Sequence, residues 1–127
     1  MSYMLLIVED PVQRGTRTQA EGEAVYARMV DFGKDLHARG VLVASESLSS
    51  HASAARVHVR GGKASVVDGP FAEAKEMIGG FFLLSCKTWG EAMAIAQACP
   101  AAEWATVEVR ATGPCYDDDS DPTVRLN

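Results

Sequence analysis

The chain has 127 residues, 47% hydrophobic and 23% charged, with 12 basic and 17 acidic residues for a net charge of −5. That length suits one domain burying roughly two-thirds of its unfolded surface around a single core. The acidic balance argues against a nucleic-acid partner, because no basic excess exists to replace counterions along a phosphate backbone. No apolar run reaches the roughly 18 residues of a membrane span, so no membrane partner is expected. The opening MSYMLLIVED lacks a basic leader region, so no signal peptide is expected either. Cys86, Cys99 and Cys115 share no CxxC spacing. Free thiols in a reducing cytoplasm are the simplest account of them.

Tyr3 to Val8 is apolar on both alternating faces and reads as a buried strand, stopped by Glu9-Asp10-Pro11. Asp10 to Thr18 is a polar loop. From about Gln19 to Arg39 the period changes, and Val25, Met29, Phe32 and Leu36 form one helical stripe ahead of Gly40. Gly22 and Gly33 each weaken this helix by roughly 1 kcal/mol relative to Ala, so it depends on tertiary packing. Val41 to Ser45 is a second strand, and Ser47 to Ser53, with His51 inside it, is a small-residue loop.

A hairpin follows, Ala55 to Arg60 and Lys63 to Asp68 around a Gly61-Gly62 turn. That turn sets Arg60 against Lys63, Val59 against Ala64 and Val57 against Val66, with Asp68 on the Val57 face. Asp68 then either points to that apolar side or simply turns the chain. Gly80 to Cys86 is another strand, apolar on both faces. Thr88 to Glu91 fits a capping box opening a helix to Cys99, stopped by Pro100. Trp104 to Arg110 alternates cleanly, with Ala105, Val107 and Val109 on one face. The domain therefore covers residues 1–111, followed by an acidic tail, 112–127, holding Asp117, Asp118, Asp119 and Asp121.

The order β-α-β-(hairpin)-β-α-β predicts an α+β, ferredoxin-like antiparallel sheet with helices on one face. Its first strand and the strand after the hairpin are central and apolar on both faces, so a homodimer covering the second face is expected.

The densest run of unusual demands is Asp68 to Phe82, DGPFAEAKEMIGGFF. Asp68-Gly69-Pro70 is a turn signal, and Glu73, Lys75 and Glu76 follow on a segment without an apolar stripe. Gly79-Gly80 removes two side chains where another backbone or a ligand can approach closely. The stretch is either a charged loop joining two strands or the wall of a pocket. In a pocket, Asp68, Glu73 and Lys75 are the catalytic candidates, since a Lys beside carboxylates can be tuned for proton transfer. Asp68, Gly69, Pro70, Phe71, Glu73, Lys75 and the loop residue His51 are the ligand-binding candidates. His37 reads as a helix-end residue and His58 as solvated. No metal-ligand spacing, phosphate loop or nucleophile elbow occurs, so no metal, haem or other cofactor is expected.

Tyr3-Met4-Leu5-Leu6-Ile7, DGPFAEAKE with Gly79-Gly80, and Glu108-Val109-Arg110 resemble the YCII-related family, and within it the DGPF branch. The similarity spans about Met1 to Arg110, and Ala74 stands where the branch more often has Thr. The resemblance implies a ferredoxin-like dimeric α/β barrel. Better-studied members carry a His on the first helix and an Asp near the end of the second as an acid–base pair. Met29 and Cys99 stand in those places here, and no Asp occurs between Lys87 and Trp104, so the pair is absent. Some members are lyases on chlorinated aromatics, and DGPF proteins are often associated with extracytoplasmic-function sigma factors. Two functions follow as expectations: a small-molecule enzyme using acid–base chemistry in a pocket, or a non-catalytic ligand-binding or regulatory dimer such as a sigma-factor accessory.

Overall fold

Alternation along the first strand sends Tyr3, Leu5 and Ile7 to one face, and all three are buried. They form the floor on which both helices lie. The structure, a computed structural model, describes residues 2–117. Its strands are β1 (Tyr3–Glu9), β2 (Leu42–Ser47), β3 (Ala55–Arg60), β4 (Lys63–Asp68), β5 (Met77–Leu84) and β6 (Thr106–Ala111). The helices are α1 (Gln19–Ala38) and α2 (Trp89–Ala98). Short 3-10 turns occupy Gln13–Thr16, His51–Ser53 and Pro100–Glu103. Four strands pair antiparallel in the order β2-β5-β1-β6, and β3 and β4 form a separate hairpin. This is a ferredoxin-like α+β arrangement. The single chain's sheet is open at β2 and β6 and closes no barrel.

The helix-facing core joins Leu5, Phe82 and Leu84 to Leu36, Ala92, Ile95 and Ala96. Leu5, Leu36 and Leu84 are fully buried, each contributing about 1.5–3 kcal/mol relative to exposure. The small residues of α2 let it lie close to the sheet, with Trp89 edge-on to Tyr3 at 6.1 Å. α1 behaves differently. Leu36 is its only fully buried side chain. Met29 and Phe32 pack partly against the core, Phe32 edge-on to Phe82 at 5.3 Å. The N-terminal half of this helix therefore stands over the sheet instead of sealing against it.

Several boundaries differ from the sequence reading, and the ladder explains them. β5 starts at Met77, three residues before the expected Gly80, because β1 continues opposite it with Val8↔Ile78 and Glu9↔Met77 past a bulge. β2 likewise extends to Ser47, held by its pairing with Gly80. β6 begins at Thr106, since the chain from Pro100 to Glu103 is a 3-10 turn. The reciprocal capping box is found at α1, between Thr18 and Glu21. At α2, Thr88 accepts the Glu91 N–H, but the Glu91 carboxylate accepts from Lys87 N–H, one residue earlier. Thr112 N–H donates to Ser2 O at 2.9 Å. The acidic tail beyond residue 117 lies outside the described residues.

On the face away from the helices, Met4, Leu6, Phe81 and Leu83 are half-buried, and Ile78 is exposed. Among the described residues, no helix is long and apolar enough to cross a membrane.

Burial pushes the Cys99 and Cys86 thiols above their ordinary range, Cys86 also through the nearby Glu91 carboxylate. Cys115 is exposed. Only the thiolate reacts, so a disulfide reagent should modify one thiol quickly in the native protein and three after denaturation. Three equally fast thiols would contradict this core.

Candidate functional site

The hairpin register is the one that the Gly61-Gly62 turn dictates: Arg60↔Lys63, Val59↔Ala64, Val57↔Val66 and Ala55↔Asp68. Both glycines have positive φ, 58° and 78°, as a tight hairpin turn requires. Asp68 does share a face with Val57, Val59 and Val66, but that face is open. Those valines are 66%, 56% and 62% exposed, and Asp68 is exposed beside them. Desolvation of Asp68 therefore does not arise within the single chain.

The start of the DGPF segment knits the base of the hairpin to the 3-10 turn around His51. Gly69 N–H donates to Ala54 O at 2.8 Å, and Phe71 N–H donates to His51 Nδ1 at 3.1 Å. Accepting there leaves the neutral imidazole its proton on Nε2. The Phe71 ring lies 5.6 Å from that of His51, and the Arg56 guanidinium stacks 3.9 Å from its centroid. A Cβ on Gly69 would overlap the His51 carbonyl oxygen, so no larger residue fits. The Gly69-Pro70 peptide is cis.

His51 and Phe71, with Arg56, Glu76, Ile78 and Glu108, line a cavity of about 610 Å³. It opens beside Val8 and Ile78, on the sheet face away from the helices. Asp68, Gly69, Pro70, Glu73 and Lys75 line neither this cavity nor the larger one below. Asp68, Pro70, Glu73 and Lys75 are exposed, while Gly69 is half-buried. The structure thus brings His51 and Phe71 together and leaves the three catalytic candidates at the surface.

The larger cavity is a cleft of about 890 Å³ between α1 and the sheet. That lies within the range of small-molecule sites. Ile7, Val25, Met29 and Phe82 form its apolar body. Gly22 and Gly33 both face it, and a Cβ on Gly22 would meet nothing within 4 Å. Gly22 therefore leaves space along the inner side of α1, whereas a Cβ on Gly33 would touch the Phe82 ring at 3.6 Å. Lys34 and His37 border one end of the cleft, and Glu9, Arg14 and Arg17 border the other.

Glu9 carries the chemistry at that end. It is only 6% exposed and is the one buried charged residue of the described core. Its Oε1 is in ion-pair contact with Arg14 Nη2. Arg14 donates to Leu48 O at 2.8 Å and to Gly79 O at 3.5 Å. Oε1 is buried against that guanidinium. Gly79 makes this packing possible, since a Cβ there would lie 2.5 Å from Oε1 and 2.9 Å from Arg14 Nη2. On the same turn as Arg14, Gln13 donates to Trp104 O at 2.8 Å, fastening the turn to the chain ahead of β6.

The sequence reading missed Glu9 and Arg14, taking the first as a strand stop and the second as loop. The signal was present in the alternation of Leu5 and Ile7, which carries Glu9 inward two residues later. The paired glycines were correctly read as sites of close approach: Glu9 and Arg14 approach Gly79, and the Glu46 carbonyl approaches Gly80. Of the two positions that the resemblance set against an acid–base pair, Met29 lines the cleft and Cys99 is buried in the core.

An open ferredoxin-like sheet with a cleft beneath its first helix defines the class as a small α+β domain. The chain belongs to the YCII-related domain family, whose model matches residues 1–114. It is 30% identical over 97 residues to an uncharacterised protein of Rhizobium meliloti (strain 1021), covering 76% of this chain and 78% of that protein.

Removing one member of a buried ion pair leaves an uncompensated charge. Arg14 is about one-third exposed, so Arg14→Ala should cost about 2–3 kcal/mol, less than the roughly 3–5 of a fully buried pair. Gly79→Ala should cost a similar amount by driving the pair apart. Urea unfolding measures both. Wild-type midpoints would show the pair to be incidental.

Proposed function

We propose that the protein is a cytoplasmic homodimer of the DGPF branch that binds a small molecule in the cleft between α1 and the sheet. In this reading Glu9 is the group that takes or returns a proton. One observation carries it: a carboxylate at the end of a ligand-sized cleft, buried and charge-balanced by Arg14. Arg14 limits the cost of the charge in the cleft, where the carboxylate meets any molecule held against it. The half-buried Met4, Leu6, Phe81 and Leu83 supply the apolar face for a second subunit, and two such sheets stacked face to face give a dimeric α/β barrel.

A second reading has support of its own. Asp68, Glu73 and Lys75 lie at the surface near the hairpin's exposed valines, which suits recognition of a partner better than turnover. In that reading the dimer is a ligand-responsive regulator, for example a sigma-factor accessory.

A thermal-shift screen of a metabolite library tests both. Hits should stabilise the wild type and fail to stabilise Gly22→Leu, which fills the cleft while improving helix propensity. Consumption of a hit by the wild type but not by Glu9→Gln would make the protein an enzyme. Stable binding without turnover would favour the regulator. Hits indifferent to Gly22→Leu, or no hits, would reject the cleft.

The dimer has a separate test. Phe81→Asp places a charge on the face away from the helices and should give a folded monomer by sedimentation at micromolar concentration. Wild-type protein sedimenting as a monomer would remove this part of the proposal.

A further inference from the structure

The cavity of about 610 Å³ at the base of the hairpin lies on the opposite side of the sheet from the cleft, and their linings share only Leu48. Its floor is apolar. Val8 and Ile78 stand opposite each other on β1 and β5, and Glu108, opposite Leu6, shares their side of the sheet by alternation. Phe71 and Arg56 border the cavity from the hairpin, and Glu76 borders it two residues before Ile78.

The charges around this cavity are opposed but not joined. Among the described residues the ion pairs are Glu9 with Arg14, Arg28 with Glu103 and Asp35 with Arg39. Arg56, Glu76 and Glu108 therefore line one cavity without pairing with each other or with any other charge there. The Arg56 guanidinium is stacked 3.9 Å from the centroid of the Phe71 ring, which fixes its charge against the cavity wall. Stacking occupies the face of the guanidinium and leaves its N–H edge for an acceptor. His51 accepts the Phe71 N–H at Nδ1 and so adds no second cation.

That arrangement discriminates by charge pattern. An anion gains Arg56 but meets two carboxylates, and a cation gains the carboxylates but meets Arg56. A molecule carrying both charges sets each against its opposite, while its apolar part covers Val8 and Ile78.

We propose that this cavity is a second binding site, selective for zwitterions of amino-acid size, with the carboxylate held by Arg56 and the ammonium by Glu76 or Glu108. The site is independent of the cleft and of the chemistry assigned to Glu9.

Four six-carbon probes, L-norleucine, 6-aminohexanoate, hexanoate and hexylammonium, separate the alternatives when titrated into the full chain. Backbone amide shifts of His51, Phe71 and Ile78 report on this cavity, and those of Gly22 and Gly33 report on the cleft. The tighter of the two zwitterions should shift the cavity amides saturably, with affinity about tenfold above hexanoate and hexylammonium, as one added charge-assisted hydrogen bond implies. Removing one sign of charge should then redirect the preference. Arg56→Met should bind hexylammonium more tightly than the wild type does, and the double variant Glu76→Gln with Glu108→Gln should do so for hexanoate. Loss of folding could produce neither gain. Hexanoate or hexylammonium binding the wild type as tightly as both zwitterions, or no gain in either variant, would overturn the selectivity. Shifts confined to Gly22 and Gly33, or none with any probe, would reject the site, and the cleft keeps its own test in Gly22→Leu.

Discussion

The contact between Glu9 and Arg14, seated where Gly79 has no side chain, is the constraint on which the site end of this molecule depends. It joins the last residue of β1 to the 3-10 turn that follows, and Arg14 then reaches the Leu48 and Gly79 carbonyls at the exit of β2 and the start of β5. The guanidinium thus ties the end of β1 and its own turn to two segments distant in sequence. A buried carboxylate would be costly alone, and the pair offsets that cost only while all four segments stay in place. Local stability and the polarity of the cleft are therefore the same interaction seen from two sides.

The helix above shows why a cleft exists at all. α1 is anchored through Leu36 and Phe32 in its C-terminal half. Farther along, Arg28 grips Glu103 with two hydrogen bonds of 3.1 and 2.6 Å and lies 5.4 Å from the Trp104 ring. That pair raises the Arg28 affinity for its proton and lowers that of Glu103, but both groups are exposed, so it orients the helix more than it stabilises it. N-terminal to these anchors Gly22 presents no side chain to the cleft, whereas at Gly33 the Phe82 ring comes to within 3.6 Å of where a Cβ would stand. Helix propensity is given up where space is needed. The cleft is thus built into the sequence of the helix and is not a packing defect.

The DGPF segment has a structural part that is independent of any chemistry. Gly69 and Phe71 bind the base of the hairpin to the His51 turn through two hydrogen bonds and a ring stack. The segment then runs on as Met77–Leu84, whose first residues border the smaller cavity and whose glycines and phenylalanines border the larger one. One stretch thereby lies against both cavities, and its two halves do different work.

The sequence by itself determined the element order, the hairpin register and the ferredoxin-like topology. These follow from short-range periodicity and turn chemistry: two apolar faces on Tyr3–Val8, a 3.6-residue stripe in α1, and Gly61-Gly62 between alternating strands. It also located the close approach at Gly79-Gly80, because a missing side chain is legible without knowing what fills its place. Which group fills it was decided only by tertiary structure. Glu9 stands two residues before Pro11 and reads as a strand stop, and Arg14 reads as loop, since the role of each depends on contacts with β5, Glu9 with Met77 and Arg14 with Gly79, far along the chain. The same holds for Asp68, Glu73 and Lys75, whose pattern suggested a pocket but whose exposure reflects a hairpin that pairs only with itself. Local pattern encodes local geometry, whereas burial of a charge is a property of the neighbours that the fold brings to it.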